Sequence, residues 1–309
     1  MNEVLLSICI PTYNRSIYLE KTLLSIVSQE VFINTNSVEI IVSDNASNDN
    51  TRQVILRLIE IYGKKIRYFR NDINDQDKNF YDVLLQANGI YAKLCNDTLE
   101  FLPGTLEFIL NLVRSEQKKK NILFFLNKSS DKNIYCKNID DFVKHVSYMT
   151  TWIGSFGIWK DDKKFLTIMR DYANTRLPHT ATVFSMVKER SALVVEKKLF
   201  NSLRPSLSGN YNISQIFIVN YLDILKNYRK IGLTDKVYNQ ERYKVLKKHV
   251  IKRQFNYKEN YVYDKRNFWK NTKVFHREIR FYIILCIFFI KLFKFRLKVL
   301  YYKLFNDKN

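Results

Sequence analysis

The segment SICIPTYNR, residues Ser7–Arg15, determines how the rest of the sequence is interpreted. It continues an apolar and β-branched run that begins at Val4 and ends at Pro11, a pattern typical of a buried strand. The polar residues that follow form a loop. Ser16 is a suitable N-cap, and apolar residues then recur at helical spacing to about residue 29. A strand, a polar loop and a helix are therefore predicted in this order.

The same pattern repeats along the next hundred residues. Further strands are predicted at Val38–Val42, Ile66–Phe69, Ile90–Cys95 and Ile122–Leu126. Helices are predicted between or after them, at about 50–62, 80–87 and from 103 onward. This alternation predicts an α/β fold with a mostly parallel sheet and helices on both faces. Ligands of such sheets bind at the carboxyl ends of the strands.

Three polar loops follow predicted strands and should meet at this edge, namely 12–15, 44–49 and 96–98. They contain neither GxGxxG nor GxxxxGK[ST], so a phosphate group must be held in another way. Acidic side chains in place of glycine-rich turns favour a divalent cation, Mg²⁺ or Mn²⁺, that bridges to a diphosphate. Asp97 is the predicted metal ligand. Strand-end acids also serve as helix caps, so Asp44 and Asp49 have this alternative role.

Three ordered motifs resemble family 2 glycosyltransferases. Residues 7–15 are similar to the SIxIPTYNR opening of that family, residues 39–47 to its EIIVVDDgS segment, and residues 89–97 to its GxYxxxLxxDD region. The resemblance extends over about residues 4–125. It implies a GT-A fold, similar to a Rossmann fold, which binds a nucleoside diphosphate sugar. It further implies that the sugar is transferred, with inversion, to an acceptor hydroxyl.

The resemblance also implies roles for individual residues. Asp44 would receive the edge of the base, Asp97 would coordinate the metal, and Asn79 would lie near the donor phosphates. Asn96 stands beside Asp97 where the family often has a second carboxylate, which makes metal dependence an open question. The nucleoside pocket would be lined by Pro11, Thr12, Tyr13 and Arg15.

The general base is the least certain part of the site. An inverting transfer needs one group to accept the proton of the attacking hydroxyl. His179 lies about where the family carries a carboxylate, and histidine has a suitable pKa. Asp161, Asp162 and Asp171 are the alternatives. Residues 152–159, which are rich in small and aromatic side chains, resemble the segment that precedes this base on the acceptor side.

Composition separates the C-terminal region from the rest. The net charge is +21, and from Lys226 onward there are 23 Lys and Arg against 6 Asp and Glu. This clustering predicts an anionic partner. The four cysteines have no ligand spacing and fit a reducing cytoplasm. The first residues do not have the pattern of a signal peptide. We therefore expect a catalytic domain at 1–209, with a donor half at 1–125 and an acceptor half at 126–209, followed by a helical region at 210–309.

A basic and apolar helix is predicted near residues 273–305. Its longest uncharged run, Phe281–Ile290, is too short to span a bilayer. A broad apolar face beside a basic stripe favours a helix that lies in the headgroup region of an anionic membrane. The alternative is a helix that packs on the catalytic domain or on another subunit.

Together these features predict a peripheral enzyme on the inner face of the cytoplasmic membrane. It would transfer a sugar, from a UDP-sugar donor, to a glycan or polyprenyl-linked acceptor of the bacterial surface. A non-catalytic nucleotide-sugar-binding protein is the main alternative, because the acidic motif is reduced and the base is not placed. A nucleotidyltransferase would need a Gly/Arg/Lys-rich loop after the first strand. We expect no nucleic acid partner, because a basic tail alone leaves the three loops unexplained.

Overall fold

The computed structural model describes residues 3–75, 77–203, 211–255 and 263–306. The chain forms two compact units, one from Met1–Ser206 with Ile224–Tyr238 and the other from Leu207–Asp223 with Asn239–Asn309. The domain boundary that we expect at residue 209 lies outside the described residues. Residues 224–238, which the sequence analysis places in the C-terminal region, pack with the first unit.

The first unit alternates strands and helices along the chain. Its strands are β1 (Leu6–Thr12), β2 (Val38–Asp44), β3 (Ile66–Arg70), β4 (Tyr91–Leu94), β5 (Leu99–Phe101), β6 (Ile122–Phe125), β7 (Lys132–Cys136), β8 (Gly157–Trp159), β9 (Ala192–Glu196) and β10 (Phe200–Ser202). Its helices are α1 (Ser16–Val27), α2 (Glu30–Asn34), α3 (Thr51–Tyr62), α4 (Lys78–Leu85), α5 (Thr105–Glu116), α6 (Ile139–Val146), α7 (Leu166–Asp171) and α8 (Pro178–Glu189).

The main sheet has the strand order β3-β2-β1-β4-β8. The first four strands are parallel, and β8 pairs antiparallel with β4. Every residue of β1, β2 and β4 is buried, as expected for central strands covered on both faces. The alternation predicted from the sequence is thereby confirmed. The loops after β1, β2 and β4 meet at one edge, which we call the carboxyl edge.

One predicted strand belongs to a different sheet. The segment 122–126, expected to be a strand of the parallel sheet, forms β6 in a separate sheet of order β6-β9-β7. There it pairs parallel with β9, while β7 pairs antiparallel with β9. β5 and β10 form a third, two-stranded sheet. An apolar run predicts burial but does not determine which sheet a strand joins, because partner choice depends on distant segments.

The remaining helices are α9 (Tyr221–Lys226), α10 (Asp235–Val245), α11 (Ile251–Phe255), α12 (Phe268–Asn271) and α13 (Ile279–Asn306). Two π-helical segments, Gln215–Asn220 and Leu246–Val250, precede α9 and α11. The predicted, mostly helical C-terminal region is confirmed.

Helix α13 is attached to the second unit near its start. Phe281 and Leu285 are buried, and Phe281 stacks on Phe275. Farther along, large apolar side chains are exposed at Ile290 and Phe293. Among the described residues, no helix has the length and apolar content that crossing a bilayer requires.

Candidate functional site

The carboxyl edge is organised around Asp97, which follows β4 and is 2% exposed. Thr12, at the end of β1, donates its hydroxyl to Asp97 Oδ2 at 2.9 Å. Arg15 contacts Asp97 Oδ1 through its guanidinium at 3.0 Å. Burial raises the pKa of Asp97, although Arg15 and Thr12 act in the opposite direction. The structure thus joins two of the three predicted loops through one desolvated carboxylate.

Asp44 ends β2 and has no exposed surface. Its Oδ1 accepts the backbone N–H of Ser47 at 2.8 Å. Its Oδ2 accepts the hydroxyl of Tyr68 and the guanidinium of Arg70, each at 2.7 Å. These donors already use both carboxylate oxygens, so Asp44 orders the loop and holds Tyr68 and Arg70 in place. These three hydrogen bonds leave one acceptor position on Oδ1, so a nucleobase N–H that binds Asp44 directly would use that position or displace a donor.

The sequence analysis did not identify Tyr68 and Arg70. They lie on β3, whose end pairs in register with the end of β2, so that Arg70 stands opposite Asp44. The signal was present in the sequence, because an arginine at the carboxyl end of a parallel strand lies at the ligand-binding edge. With Arg15, Arg70 makes this edge suitable for an anion.

An amide network lies beside Asp44. Asn79, in the first turn of α4, is 2% exposed and donates its amide to the carbonyl of Ser43 at 2.9 Å. Asn71 donates to Asn79 Oδ1 at 3.3 Å and to Asn45 Oδ1 at 3.1 Å. The structure therefore brings Asn79 to the predicted edge, where it fixes the entry to α4.

The loop after β1 is held by the loop after β2. Asn14 has the left-handed backbone angle φ of 50°, accepts the N–H of Asn48 at 2.7 Å, and donates its own N–H to Ser47 Oγ at 2.9 Å. Asp49 accepts the N–H of Ser16 at 2.8 Å, which caps α1. Tyr13 remains 41% exposed beside this crossing. An exposed ring on a rigid loop is suited to covering a nucleobase.

Asn96 and Gly154 contact each other on the other side of Asp97. The side-chain oxygen of Asn96 is buried and has no hydrogen-bond partner among the described residues. A Cβ atom at Gly154 would lie 3.1 Å from this oxygen and 2.5 Å from Trp152. Only glycine allows the segment 152–155 to approach Asn96 so closely.

His179 is located in the first turn of α8 and is 1% exposed. Its ring packs edge-on against Phe80 of α4, at 6.0 Å between centroids. Neither ring nitrogen has a hydrogen-bond partner of normal geometry among the described residues. Burial lowers the pKa of His179 to about 4, and the nearby backbone of Thr151 offsets this only in part. His179 is therefore neutral at pH 7, and burial disfavours its protonated form.

Asp77 was also missed by the sequence analysis. It precedes α4 at the carboxyl edge and approaches Arg176, which comes just before α8, at 3.7 Å. Its Oδ2 is buried without a hydrogen-bond partner in the described structure, and burial raises its pKa. Asp77 thus connects the donor loops with the segment that carries His179. No family motif marks this position.

Of the other predicted bases, Asp161 lies away from this edge, Asp162 is paired with a cation, and Asp171 is exposed. Asp161 follows β8, and because β8 runs antiparallel to β4, its end lies beside Ile90 at the opposite edge of the sheet. Asp161 is paired there with Lys120. Asp162 is paired with Arg190. Asp171 ends α7 with an exposed side chain. Strand direction, which spacing does not reveal, accounts for the position of Asp161.

Buried polar atoms without partners concentrate at the carboxyl edge. In the described part of the first unit, such atoms occur on Asp77, Asn96 and His179, and elsewhere only on Thr22. Each atom of this kind costs about 1–3 kcal/mol unless something satisfies it. Their concentration, together with the raised pKa of Asp97, makes this edge the candidate site for a polar ligand.

Comparison with known proteins identifies the family of this chain. The model of the family described as glycosyl transferase family 2 matches residues 7–186. The chain belongs to glycosyl transferase family 2. The resemblance predicted from the three motifs is thereby confirmed, and the matched segment contains every residue discussed at the carboxyl edge.

Relatives in glycosyl transferase family 2 include two bacterial enzymes. The chain is 30% identical over 217 residues to the abequosyltransferase RfbV of Salmonella typhimurium, covering 62% of this chain and 63% of that protein. It is 36% identical over 107 residues to the GalNAc(5)-diNAcBac-PP-undecaprenol beta-1,3-glucosyltransferase of Campylobacter jejuni, covering 34% and 33%. The chain spans less than two thirds of the length of either relative.

Solved structures confirm the predicted GT-A type of fold for this member of glycosyl transferase family 2. S. aureus TarS 1-349 in complex with UDP-GlcNAc superposes with a TM-score of 0.59 at 14% identity, covering 88% of this chain and 80% of that one. The mannosyltransferase PcManGT of Pyrobaculum calidifontis, in complex with GDP-Man and Mn2+, gives 0.55 at 14% identity, covering 79% and 70%.

The residues at the edge fit a divalent cation that is bound together with a diphosphate. Asp97 offers a carboxylate, and Asn96 offers a buried oxygen without a partner. The described residues contain no cluster of three or more His, Cys, Asp or Glu that could hold a metal on its own. Mg²⁺-like ions often take one or two protein oxygens and complete their shell with phosphate and water. Asp97 and Asn96 match this pattern.

Proposed function

We propose that this chain is an inverting glycosyltransferase that uses a nucleoside diphosphate sugar, with UDP as the nucleotide. The observation that carries the proposal is that the loops after β1, β2 and β4 meet at the carboxyl edge, where Arg15 pairs with Asp97 and Arg70 pairs with Asp44. An anionic, partly aromatic ligand fits this combination of cations, a buried carboxylate and the exposed Tyr13. The complexes of TarS with UDP-GlcNAc and of PcManGT with GDP-Man support the donor class.

Asp97 and Asn96 would hold Mg²⁺ or Mn²⁺, whose charge would stabilise the diphosphate as it leaves. Arg15 is well placed to add to this, because its side chain is 44% exposed and can turn from Asp97 toward a phosphate. Pro11 and Tyr13 would line the nucleoside pocket. Asn79 would keep the loop before α4 in position through Ser43.

His179 is our first candidate for the general base. Its ring nitrogens have no hydrogen-bond partner of normal geometry in the described structure and could take the proton of an attacking hydroxyl. Burial lowers the pKa of His179, which keeps the ring neutral at pH 7 and also makes it a weaker base than an exposed histidine. Asp77 and Asp171 are the carboxylate alternatives. We do not retain Asp161, because it lies at the opposite edge of the sheet.

The acceptor that we propose is a hydroxyl of a lipid-linked or polymeric bacterial surface glycan. The name of the Campylobacter relative includes a PP-undecaprenol acceptor, which supports the lipid-linked form. We further propose that the enzyme works on the inner face of the cytoplasmic membrane, without a nucleic acid partner. Helix α13 would bind the anionic surface through exposed apolar residues such as Ile290 and Phe293, flanked by Lys291 and Lys294.

Thermal-shift measurements with a panel of nucleotide sugars test the donor assignment. We expect UDP-sugars to raise the melting temperature, Mn²⁺ to increase the effect, and the best donor to release UDP over time. A panel without any stabilising nucleotide sugar would contradict the proposal. Binding without UDP release would instead support the non-catalytic alternative, which the single carboxylate at Asn96-Asp97-Thr98 keeps open.

A further inference from the structure

Lys93 is a fully buried lysine at the centre of the first unit. It lies on β4 with 0% exposure, and its ammonium donates to the carbonyl oxygens of Gly154 and, at 3.3 Å, Leu94. No salt bridge recorded among the described residues includes it. Burial of an ammonium group without a carboxylate partner costs desolvation free energy. Groups other than a carboxylate must therefore stabilise the charge of Lys93.

Aromatic rings from two other sheets surround this ammonium. Lys93 Nζ lies 4.7 Å from the ring centre of Phe125 on β6 and 5.3 Å from that of Phe200 on β10. Cation–π attraction of this kind is strongest where water is excluded. Lys93 therefore stands where the main sheet meets the two smaller sheets.

Lys93 donates to the carbonyl of Gly154, and Gly154 packs against Asn96 at the site. Gly154 is the residue whose Cβ would approach the unpartnered oxygen of Asn96. The ring of Trp152 in turn packs edge-on against Phe200, at 6.2 Å between centroids. A contiguous set of contacts thus runs from the Lys93 ammonium through Gly154 to Asn96, next to Asp97.

We propose that Lys93 is a positioning residue whose ammonium holds the segment 152–155 against Asn96 and thereby shapes the acceptor side of the site. This role rests on the proposed function only in one respect, namely that the side of the site next to the segment 152–155 is called the acceptor side. Loss of the positive charge removes the cation–π attraction and weakens the bond to Gly154. The segment then loses its fixed position, while the donor loops around Asp44 keep their own hydrogen bonds.

The charge of Lys93 should change within an accessible pH range. Burial lowers its pKa to about 8. The titratable groups that face it are the thiols of Cys95, which follows β4, and Cys9 on β1. Burial raises the pKa of both thiols, that of Cys95 to about 12, so they stay neutral. The groups from β6, β10 and the segment 152–155 are aromatic rings and backbone carbonyls.

Fluorine NMR of protein labelled with 5-fluorotryptophan tests the proposal. The sequence has three tryptophans, so Trp152 can be assigned with a Trp152→Phe variant. We expect its resonance to shift with a midpoint near pH 8. Trp159 serves as the internal control, because its indole N–H is held by the carbonyl of Asn121 at 2.8 Å. A Trp152 resonance at pH 7 that is the same in the wild type and in Lys93→Met would overturn the proposal, whatever the titration midpoint.

Two substitutions complete the test. Lys93→Met should abolish the pH dependence of the Trp152 resonance. An unchanged pH dependence in this variant would show that another group causes the shift and would refute the role of Lys93. Lys93→Arg keeps the charge at all pH values. UDP release from a mixture of UDP-glucose and UDP-GlcNAc should fall above pH 8 in the wild type, with the midpoint of Trp152, but not in Lys93→Arg.

The proposed function can fail separately from this inference. Isothermal titration with UDP should be run with and without Mn²⁺. The metal-free dissociation constants should agree within about twofold for the wild type and Lys93→Met, because the loops after β1 and β2 do not depend on Lys93. If UDP binds neither protein, the donor assignment is wrong, while the titration of Trp152 still decides the role of Lys93. A tenfold or larger loss of metal-free UDP affinity in Lys93→Met alone would contradict an acceptor-side role.

Discussion

Replacement of Asp97 by asparagine should separate stability from function. Asp97→Asn keeps the shape of the side chain and an oxygen that accepts the Thr12 hydroxyl. It loses the ion pair with Arg15, whose side chain is 44% exposed, and such a pair is worth about 1 kcal/mol at most. It also removes a carboxylate whose ionisation burial disfavours, as the raised pKa of Asp97 shows. The second effect favours the variant at neutral pH.

The sign of this effect depends on pH. Because the folded-state pKa of Asp97 is raised, its contribution to stability is fully present below the ordinary carboxyl pKa near 3.8 and is lost as pH rises through the folded-state value. Wild type and Asp97→Asn should therefore melt alike near pH 4. At pH 7.5 the variant should melt at the same temperature or up to roughly 4 °C higher, since about 1 kcal/mol corresponds to about 2–4 °C in a domain of this size.

Ligand-induced stabilisation provides the functional readout. A ligand at a hundred times its dissociation constant stabilises the folded state by about 2.7 kcal/mol. We expect UDP with Mn²⁺ to raise the melting temperature of the wild type, and Asp97→Asn to lose the Mn²⁺-dependent part of this shift. A full Mn²⁺-dependent shift in the variant would exclude Asp97 as the metal ligand. A fall of more than about 8 °C without ligand would show that the carboxylate is mainly structural.

Asp49→Asn is the matched control at the same edge. Burial alone would raise the pKa of Asp49, but hydrogen bonds from Thr51 and Ser16 lower it overall. Its contribution to stability is therefore present above the ordinary carboxyl pKa and lost as pH falls. Asp49→Asn keeps a side-chain oxygen that can accept the N–H of Ser16, so it should lose less than about 1 kcal/mol at pH 7.5 and keep the Mn²⁺-dependent response.

Three further predictions follow from single features. His179 should destabilise the protein progressively as pH falls from 6.5 toward 4, because burial lowers its folded-state pKa from 6.5 to about 4. The loss of unfolding free energy should be about 3 kcal/mol in total. Urea unfolding across this pH range should show this loss in the wild type and not in His179→Gln. Deletion of residues 286–309 keeps the buried Phe281 and Leu285. The shortened protein should no longer float with vesicles that contain 30% phosphatidylserine. Unchanged flotation would refute anchoring by α13. Gly89→Ala should cost about 1–3 kcal/mol in chemical unfolding, because its Cβ would lie 2.8 Å from the backbone nitrogen of Ser7; a smaller loss than for an exposed Ala substitution would contradict this.

The donor half was predictable from sequence because its information is local. β1 and β2 are apolar runs that end in polar loops, and a parallel sheet brings such loops to one edge without further knowledge of the fold. The positions of Thr12 and Asp97 followed from this rule. Arg70 was not identified, although β3 pairs in register with β2, because no acidic motif marks the cation that pairs with Asp44.

The acceptor half was less predictable because its geometry depends on distant pairings. The place of Asp161 follows from β8 pairing antiparallel with β4, and spacing along the chain does not encode strand direction. Lys93 would normally indicate an exposed strand face, since lysines are almost never fully buried. Its burial depends on Phe125 and Phe200, which come from two other sheets.

Asp77, Asn96 and His179 carry buried polar atoms without partners, and these atoms indicate a ligand site that no sequence motif indicates. Each is buried at a cost that the rest of the fold must offset, and a sequence selected for stability alone would replace them. They occur on three segments, namely the entry to α4, the loop after β4 and the start of α8. A ligand that hydrogen-bonds to all three segments would recover this cost on binding. Its affinity should therefore come from polar groups in the gap between donor loops and α8, which is where a sugar attached to the diphosphate would lie.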